Sequence, residues 1–285
     1  MPCDWLLVDG SSLIFRAYHG IPADSARAPD GRSVNAVRGT LDRLATLLSQ
    51  RRPRRIAVAD DADWRPYWRV ELLPSYKTHR AGEPVPPGLI PQLPVIRELL
   101  AAIGVDMVGL ADYEAEDVIA TWSALAEGSI EVLSGDRDLF ALVEDPRVRI
   151  LYPERSGLSV IDEAEVTRRY GVPGRRYADF AILRGDPSDG LPGLKGVGAG
   201  TAAQLIRRWG GVEEMLHDAP LRDADRDYLA RALQVVRPAR ELPVALPAGR
   251  REMYPADSAA LVALASRHGV ESACARLVAA LSAMR

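Results

Sequence analysis

The sequence predicts an α/β fold, a mostly parallel sheet flanked by helices, followed by an all-α part. Three observations carry this. Short apolar runs bounded by Asp, Gly or Arg recur at residues 6–8, 56–59, 105–108 and 130–133. Stretches with helical spacing lie between them, the alternation that builds a parallel sheet covered on both faces. Strand signals then stop after about residue 165.

Each element follows from its pattern. The run 6–8 ends on Asp9, and 56–59 ends on Asp60. Between them, Val34, Val37, Leu41, Leu44 and Leu48 share one helical face over 34–49. Residues 89–103 and 118–125 continue that spacing. Beyond 165, helices are expected at 177–183, 201–209, 221–236 and across the Ala-rich tail 259–284. No repeat or low-complexity linker separates the halves, so units 1–165 and 166–285 are expected to pack together. One segment, about 64–95, breaks the alternation. It is rich in aromatic and basic side chains (Trp64, Arg65, Tyr67, Trp68, Arg69, Tyr76, Lys77, His79, Arg80) and then in prolines (84, 86, 87, 91, 94). It reads either as a surface loop of snorkelling arginines or as an electrostatic funnel with stacking platforms for single-stranded nucleic acid.

Composition bounds the class. The 285 residues are 47% hydrophobic and 26% charged, with a net charge of −3, which taken alone points away from a nucleic-acid protein. The longest apolar stretch, 99–111, is broken by Asp106, so no membrane span is expected, and the absence of a basic start argues against a signal peptide. Two cysteines, Cys3 and Cys274, exclude a disulfide framework or a Cys/His zinc site and fit a cytoplasmic protein. Of 36 basic residues only Lys77 and Lys195 are lysines.

Acids collect where open parallel sheets bind ligands, at the carboxyl ends of strands. Asp9 and Asp60 each follow a strand, and Asp136 and Asp138 come just after a third, in SGDRDLF. Glu114, Glu116 and Asp117 open a helix, where Glu114 and Asp117 share a face. Glu116 would lie roughly 200° from Glu114 in a regular helix, so the three converge only if the first turn is irregular. Asp186 and Asp189 sit in a loop between helices. Singly, each acid also reads as a turn residue or helix cap. Jointly they repel one another unless cations intervene, and an oxygen-only set suits Mg²⁺ or Mn²⁺, two of which form a phosphoryl-transfer device. The run from Leu191 to Ala202 adds Gly196, Gly198 and Thr201 at a helix start beside Lys195, a helix-hairpin-helix pattern over about 178–212 that grips duplex backbone.

LLVDGSSLIFRAYH, ELLPSYKTHR, YEAEDVIAT, SGDRDLF and GDPSDGLPGLKGVGAGTA, in this order, make the chain resemble the 5′ nuclease family: flap endonucleases and the 5′-to-3′ exonuclease domain of bacterial DNA polymerase I. The resemblance implies a PIN-like α/β core, a helical arch over about 64–95, and a helix-hairpin-helix region with a potassium ion. It implies metal ligation, direct or through water, by Asp9, Asp60, Glu114, Glu116, Asp136 and Asp138, with Asp117, Asp186 and Asp189 nearer a second metal. It makes Lys77 and Arg80 the catalytic cations on the scissile phosphate, with Arg69 and Tyr76 along the DNA path. Glu116 replaces a common Asp, Asp61 a common alanine, Gly190 a common asparagine. Gly200 replaces a common lysine, leaving Lys195, Arg207 and Arg208 to hold phosphate.

The expectation is a free-standing, monomeric, metal-dependent 5′ nuclease of replication and repair. It would cut DNA at 5′ flaps, nicks or single-strand/duplex junctions, with RNA:DNA hybrid as a further substrate. The alternative is a non-catalytic junction-binding protein that retains the nuclease scaffold; an RNA-cleaving PIN toxin fits poorly, being about half this length. Setting the nine acids aside leaves 36 basic against 30 acidic residues, a mildly basic chain around an anionic site.

Overall fold

Side chains alternate across a strand, and in the first strand this splits the apolar residues between two cores. Trp5 and Leu7 enter one, Leu6 and Val8 the other. The structure is a computed structural model in which residues 3–82, 85–155 and 157–284 are described; Pro84, in the proline-spaced stretch, lies outside them.

The chain runs β1 (Trp5–Asp9), α1 (Gly10–Gly20), α2 (Asn35–Arg51), β2 (Arg55–Ala59), α3 (Tyr67–Leu72), α4 (His79–Gly82), α5 (Gln92–Ile103), β3 (Met107–Val108), α6 (Ala115–Leu125) and β4 (Ile130–Leu133). A 3-10 turn over Asp138–Leu142 leads to β5 (Val148–Glu154) and β6 (Gly157–Ile161). Then come α7 (Glu163–Tyr170), α8 (Tyr177–Arg184), α9 (Ala199–Trp209), α10 (Val212–Asp218), α11 (Asp223–Val236), α12 (Ser258–His268) and α13 (Glu271–Ser282). The sheet order is β3-β2-β1-β4-β5-β6, parallel throughout except that β6 pairs antiparallel with β5. The chain builds outward from β1 in one direction, then restarts at β4 on its other side. The crevice beyond the carboxyl ends of β1 and β4 is therefore the switch point of an open α/β sheet.

One core packs α6, α8, α9 and α11 against the sheet; the other packs α2, α5, α12 and α13. Local chemistry sets the ends. Asp9 caps α1 by accepting from the Ser12 N–H at 2.9 Å, and α5 stops at Gly104, whose φ of 103° suits a left-handed cap.

Several elements depart from the sequence expectation. β5 and β6 were not expected: Arg149 and Pro153 interrupt the apolar run of β5, and β6 is an edge strand leaving Leu158 and Val160 exposed. The tail expected as one helix is two, broken at Gly269, where φ is 64°. These helices return to α2 and α5, so the last thirty or so residues pack with the first half of the chain. Among the described residues no helix is long and apolar enough to cross a membrane.

Candidate active site and nucleic-acid interface

At the switch point a cavity of about 580 Å³ is lined by Asp9, Asp61, Glu114, Glu116, Asp136 and Asp189, together with the buried Lys77 and with Arg80. Asp9 is buried and accepts from Ser134 Oγ at 2.6 Å. Burial, then the charge of Asp61, pushes its carboxyl up to about 7.

Asp60 does not join this group. The alternation along β2 sends Ile56 and Val58 to the α5 side and Ala57 and Ala59 to the α6 side. Asp60 continues the ladder, donating its N–H to Val108 O, and its carboxylate meets Arg97 of α5 at 2.7 Å. Asp61 comes back to the α6 side, accepts from the Ala115 N–H at 2.7 Å, and lines the cavity. Burial pushes it up to about 6. The expectation for Asp60 is corrected by one residue. The register explains the shift: Asp9 pairs with Ala59, and Asp61, two residues on, returns to the same side of the sheet.

The YEAED motif converges because its first acid lies outside the helix. Glu114 is the N-cap of α6, with an extended backbone, and forms a reciprocal capping box with Asp117. Freed from helical phase, Glu114, Glu116 and Asp117 all reach Arg69, which has no exposed surface. Glu114 also accepts from Lys77 Nζ at 2.8 Å, Arg80 at 3.0 Å and the Tyr76 hydroxyl at 2.5 Å. Burial opposes its charge, yet the Lys77 and Arg69 cations outweigh it and hold the carboxyl at about 2. Segment 64–82 thus folds down onto the acids through two short helices. Arg69 and Tyr76, expected along the DNA path, are instead 0% and 2% exposed and leave no surface for nucleic acid. Asp117 is likewise consumed, accepting from Arg69 at 2.7 Å and from the Ala239 N–H at 2.8 Å, which pins the segment after α11.

Glu116, Asp136 and Asp138 form the group whose carboxylate oxygens all lie within 4.8 Å of one another. Burial pushes Glu116 and Asp138 well above the usual range, with the charges of Glu114 and Asp136 adding to the first and those of Asp189 and Asp136 to the second. Lys77 and Arg69 offset part of the charge on Glu116, and the all-oxygen set fits a hard divalent ion. Asp189 closes one side, with Lys77 Nζ 3.7 Å away. Asp186, three residues earlier, turns from the cavity to Arg137 and Arg184, at 3.0 and 3.3 Å.

From there the chain enters the 185–198 loop between α8 and α9. Lys195, Gly196, Gly198 and Thr201 are all exposed. A Cβ at Gly196, Gly198 or Gly200 would meet nothing within 4 Å, so the backbone can be approached from solvent. Gly198 caps α9 without a side-chain hydrogen bond, leaving amide groups for an anion. Sequence reasoning missed Phe15, which packs 4.8 Å from Trp64 of the aromatic segment on the cavity wall; their separation of 49 positions gave no signal for the pair.

Two family models match: "5'-3' exonuclease, N-terminal resolvase-like domain" over residues 4–171, and "5'-3' exonuclease, C-terminal SAM fold" over 172–244. A 5′-3′ exonuclease of Streptomyces coelicolor is 47% identical over 98% of this chain and 100% of its own. One from Mycobacterium tuberculosis is 43% identical over 98% of both. DNA polymerase I of Mycobacterium bovis is 38% identical over 80% of this chain and 25% of its own. Among solved structures, the T5 D15 protein co-crystallised with metal ions superposes with a TM-score of 0.68 at 17% identity, covering 98% of both chains. Flap endonuclease-1 from Methanococcus jannaschii gives 0.62 at 16%, over 99% of this chain and 93% of that one. These two share the fold.

Proposed function

The chain belongs to the 5′-3′ exonuclease family, and on that premise we propose that it hydrolyses phosphodiesters at 5′ flaps, nicks and single-strand/duplex junctions in DNA, with RNA:DNA hybrid as a second substrate. The carrying observation is the buried cluster of Glu116, Asp136 and Asp138 at the sheet's switch point, beside cations and below an open cavity. Mg²⁺ or Mn²⁺, two ions in this reading, would supply Lewis-acid stabilisation of the phosphoryl charge and an acidified water.

The chain's own residues do the rest. Lys77 and Arg80, both held on Glu114, would be freed for the scissile phosphate when that carboxylate turns to a metal ion, since Lys77 is buried while the pair is closed. Phe15 and Trp64 offer a nucleobase a stacking wall. The exposed 193–201 backbone, with Lys195 and a potassium ion at the turn, holds duplex phosphate without reading sequence. The protein would act as a cytoplasmic monomer, in keeping with its buried free thiols.

The test is a 5′-labelled flap incubated with Mg²⁺ or Mn²⁺. Cleavage near the junction that EDTA abolishes supports the reading. A flap that is bound but left intact in both metals would make the chain a junction-binding protein.

A further inference from the structure

Arg69 is the only buried arginine among the described residues, and it spans three carboxylates of one short motif. Two of the three have other partners. Glu114 is also held by Lys77, Arg80 and Tyr76, and Asp117 by the backbone N–H groups of Ala239 and Glu114. Glu116 differs. Among the described residues its only salt-bridge partner is Arg69 Nη1, at 3.1 Å, while a carboxylate oxygen of each of Asp136 and Asp138 lies within 4.8 Å of its own.

Stability alone does not account for a guanidinium here. Well-packed apolar replacements of buried ion pairs are often neutral or stabilising, and Arg69 Nε has no hydrogen-bond partner among the described residues. What the planar fork does supply is geometry: Nη1 lies between Glu114 and Glu116 while Nη2 takes Asp117. We propose that Arg69 is a positioning residue of the divalent-metal centre, holding Glu116 in place against the repulsion of Asp136 and Asp138. The inference rests on the metal-nuclease reading and deepens it. It replaces the DNA-contact role expected from sequence with one exerted through Glu116.

The test compares Arg69→Gln and Arg69→Lys with the full-length wild type. Mn²⁺ affinity of the DNA-free protein is read from free Mn²⁺ by electron paramagnetic resonance; flap Kd, kcat, KM and melting temperature are measured alongside. For Arg69→Gln, Mn²⁺ binding is expected to weaken about tenfold and kcat to fall about 10–100-fold, the usual cost of losing a group that orients metal ligands. Flap Kd and KM should stay within about threefold, and raised Mn²⁺ or the Lys variant should recover part of kcat. Unchanged Mn²⁺ affinity with weaker flap binding would restore the DNA-contact role and overturn the proposal. A lower melting temperature with unchanged Mn²⁺ affinity and kcat would overturn it in favour of plain structural packing. If the Gln variant does not fold, the Lys variant decides on the same readouts. A wild type that neither binds Mn²⁺ nor cuts flaps would instead defeat the metal-nuclease reading itself.

Discussion

The backbone N–H of Lys77 donates to the carbonyl oxygen of Asp189 at 3.0 Å. This joins the segment bearing Lys77 and Arg80 to the loop between α8 and α9. Lys77 sits in the left-handed region at φ 44°, and its neighbour across the contact, Gly190, does so at φ 71°. A Cβ at Gly190 would come within 1.8 Å of Ser75 O. Glycine at 190 is therefore required by the close approach of two backbones.

Gly190→Ala should separate these strands of chain. The left-handed backbone alone costs roughly 1–3 kcal/mol, and the clash adds to it. A lowered melting temperature is expected, with kcat falling more than flap affinity because Lys77 loses its support. Unaltered stability and turnover would show that the two segments are not coupled.

Asp61→Asn should remove most cleavage, whereas Asp60→Asn should remain within a few-fold of wild type. Asp60 pairs with an Arg97 side chain that is 47% exposed, a contact worth about 0–1 kcal/mol. Turnover at saturating Mn²⁺ and flap separates the two. A larger loss for Asp60→Asn would return the β2 ligand to position 60.

The metal-free protein should be more stable at pH 6 than at pH 8. Burial, with neighbouring acids, raises Asp9 to about 7 and Asp61 to about 6 from an ordinary value of 3.8. The folded state thus holds these protons more tightly than the unfolded chain. The stability they contribute is complete below the ordinary value and is lost as pH rises through 6 and 7. Melting curves in EDTA should show this slope, and Mg²⁺ or Mn²⁺ should raise the melting temperature more at pH 8 than at pH 6. A metal-free protein that becomes more stable from pH 6 to pH 8 would contradict it.

Gly200→Lys should tighten duplex binding. The position is exposed, and a Cβ there meets nothing within 4 Å. One added phosphate contact steepens the dependence of log affinity on log salt by about 1. Binding isotherms between low and moderate salt measure this, and an unchanged slope would place the duplex elsewhere than on the 193–201 loop.

Much of the fold was legible because its cues were local. Apolar runs located the first four strands, β1 to β4, and helical spacing located α2, α5 and α11. β5 escaped because Arg149 and Pro153 interrupt its apolar run, and β6 because it is an exposed edge strand. At the site, the motifs located Asp9, Glu116, Asp136, Asp138 and Asp189 at the crevice. Residue type, however, could not separate a carboxylate that faces the cavity from one neutralised within the fold. Asp117 and Asp186 look like ligands in sequence and are held by Arg69 and by Arg137 and Arg184. Arg69 and Tyr76 likewise look like surface groups, because only tertiary packing brings a buried carboxylate to receive them.

The central claim is that the acids at the switch point drive phosphodiester cleavage. Single-turnover cleavage of a 5′-labelled flap by Asp138→Asn, beside wild type in Mn²⁺ and in EDTA, tests it most directly. The expected result is wild-type cleavage that needs the metal, and a variant that binds the flap with nearly unchanged affinity but does not cut it. A variant that cuts within a few-fold of wild type would contradict the claim.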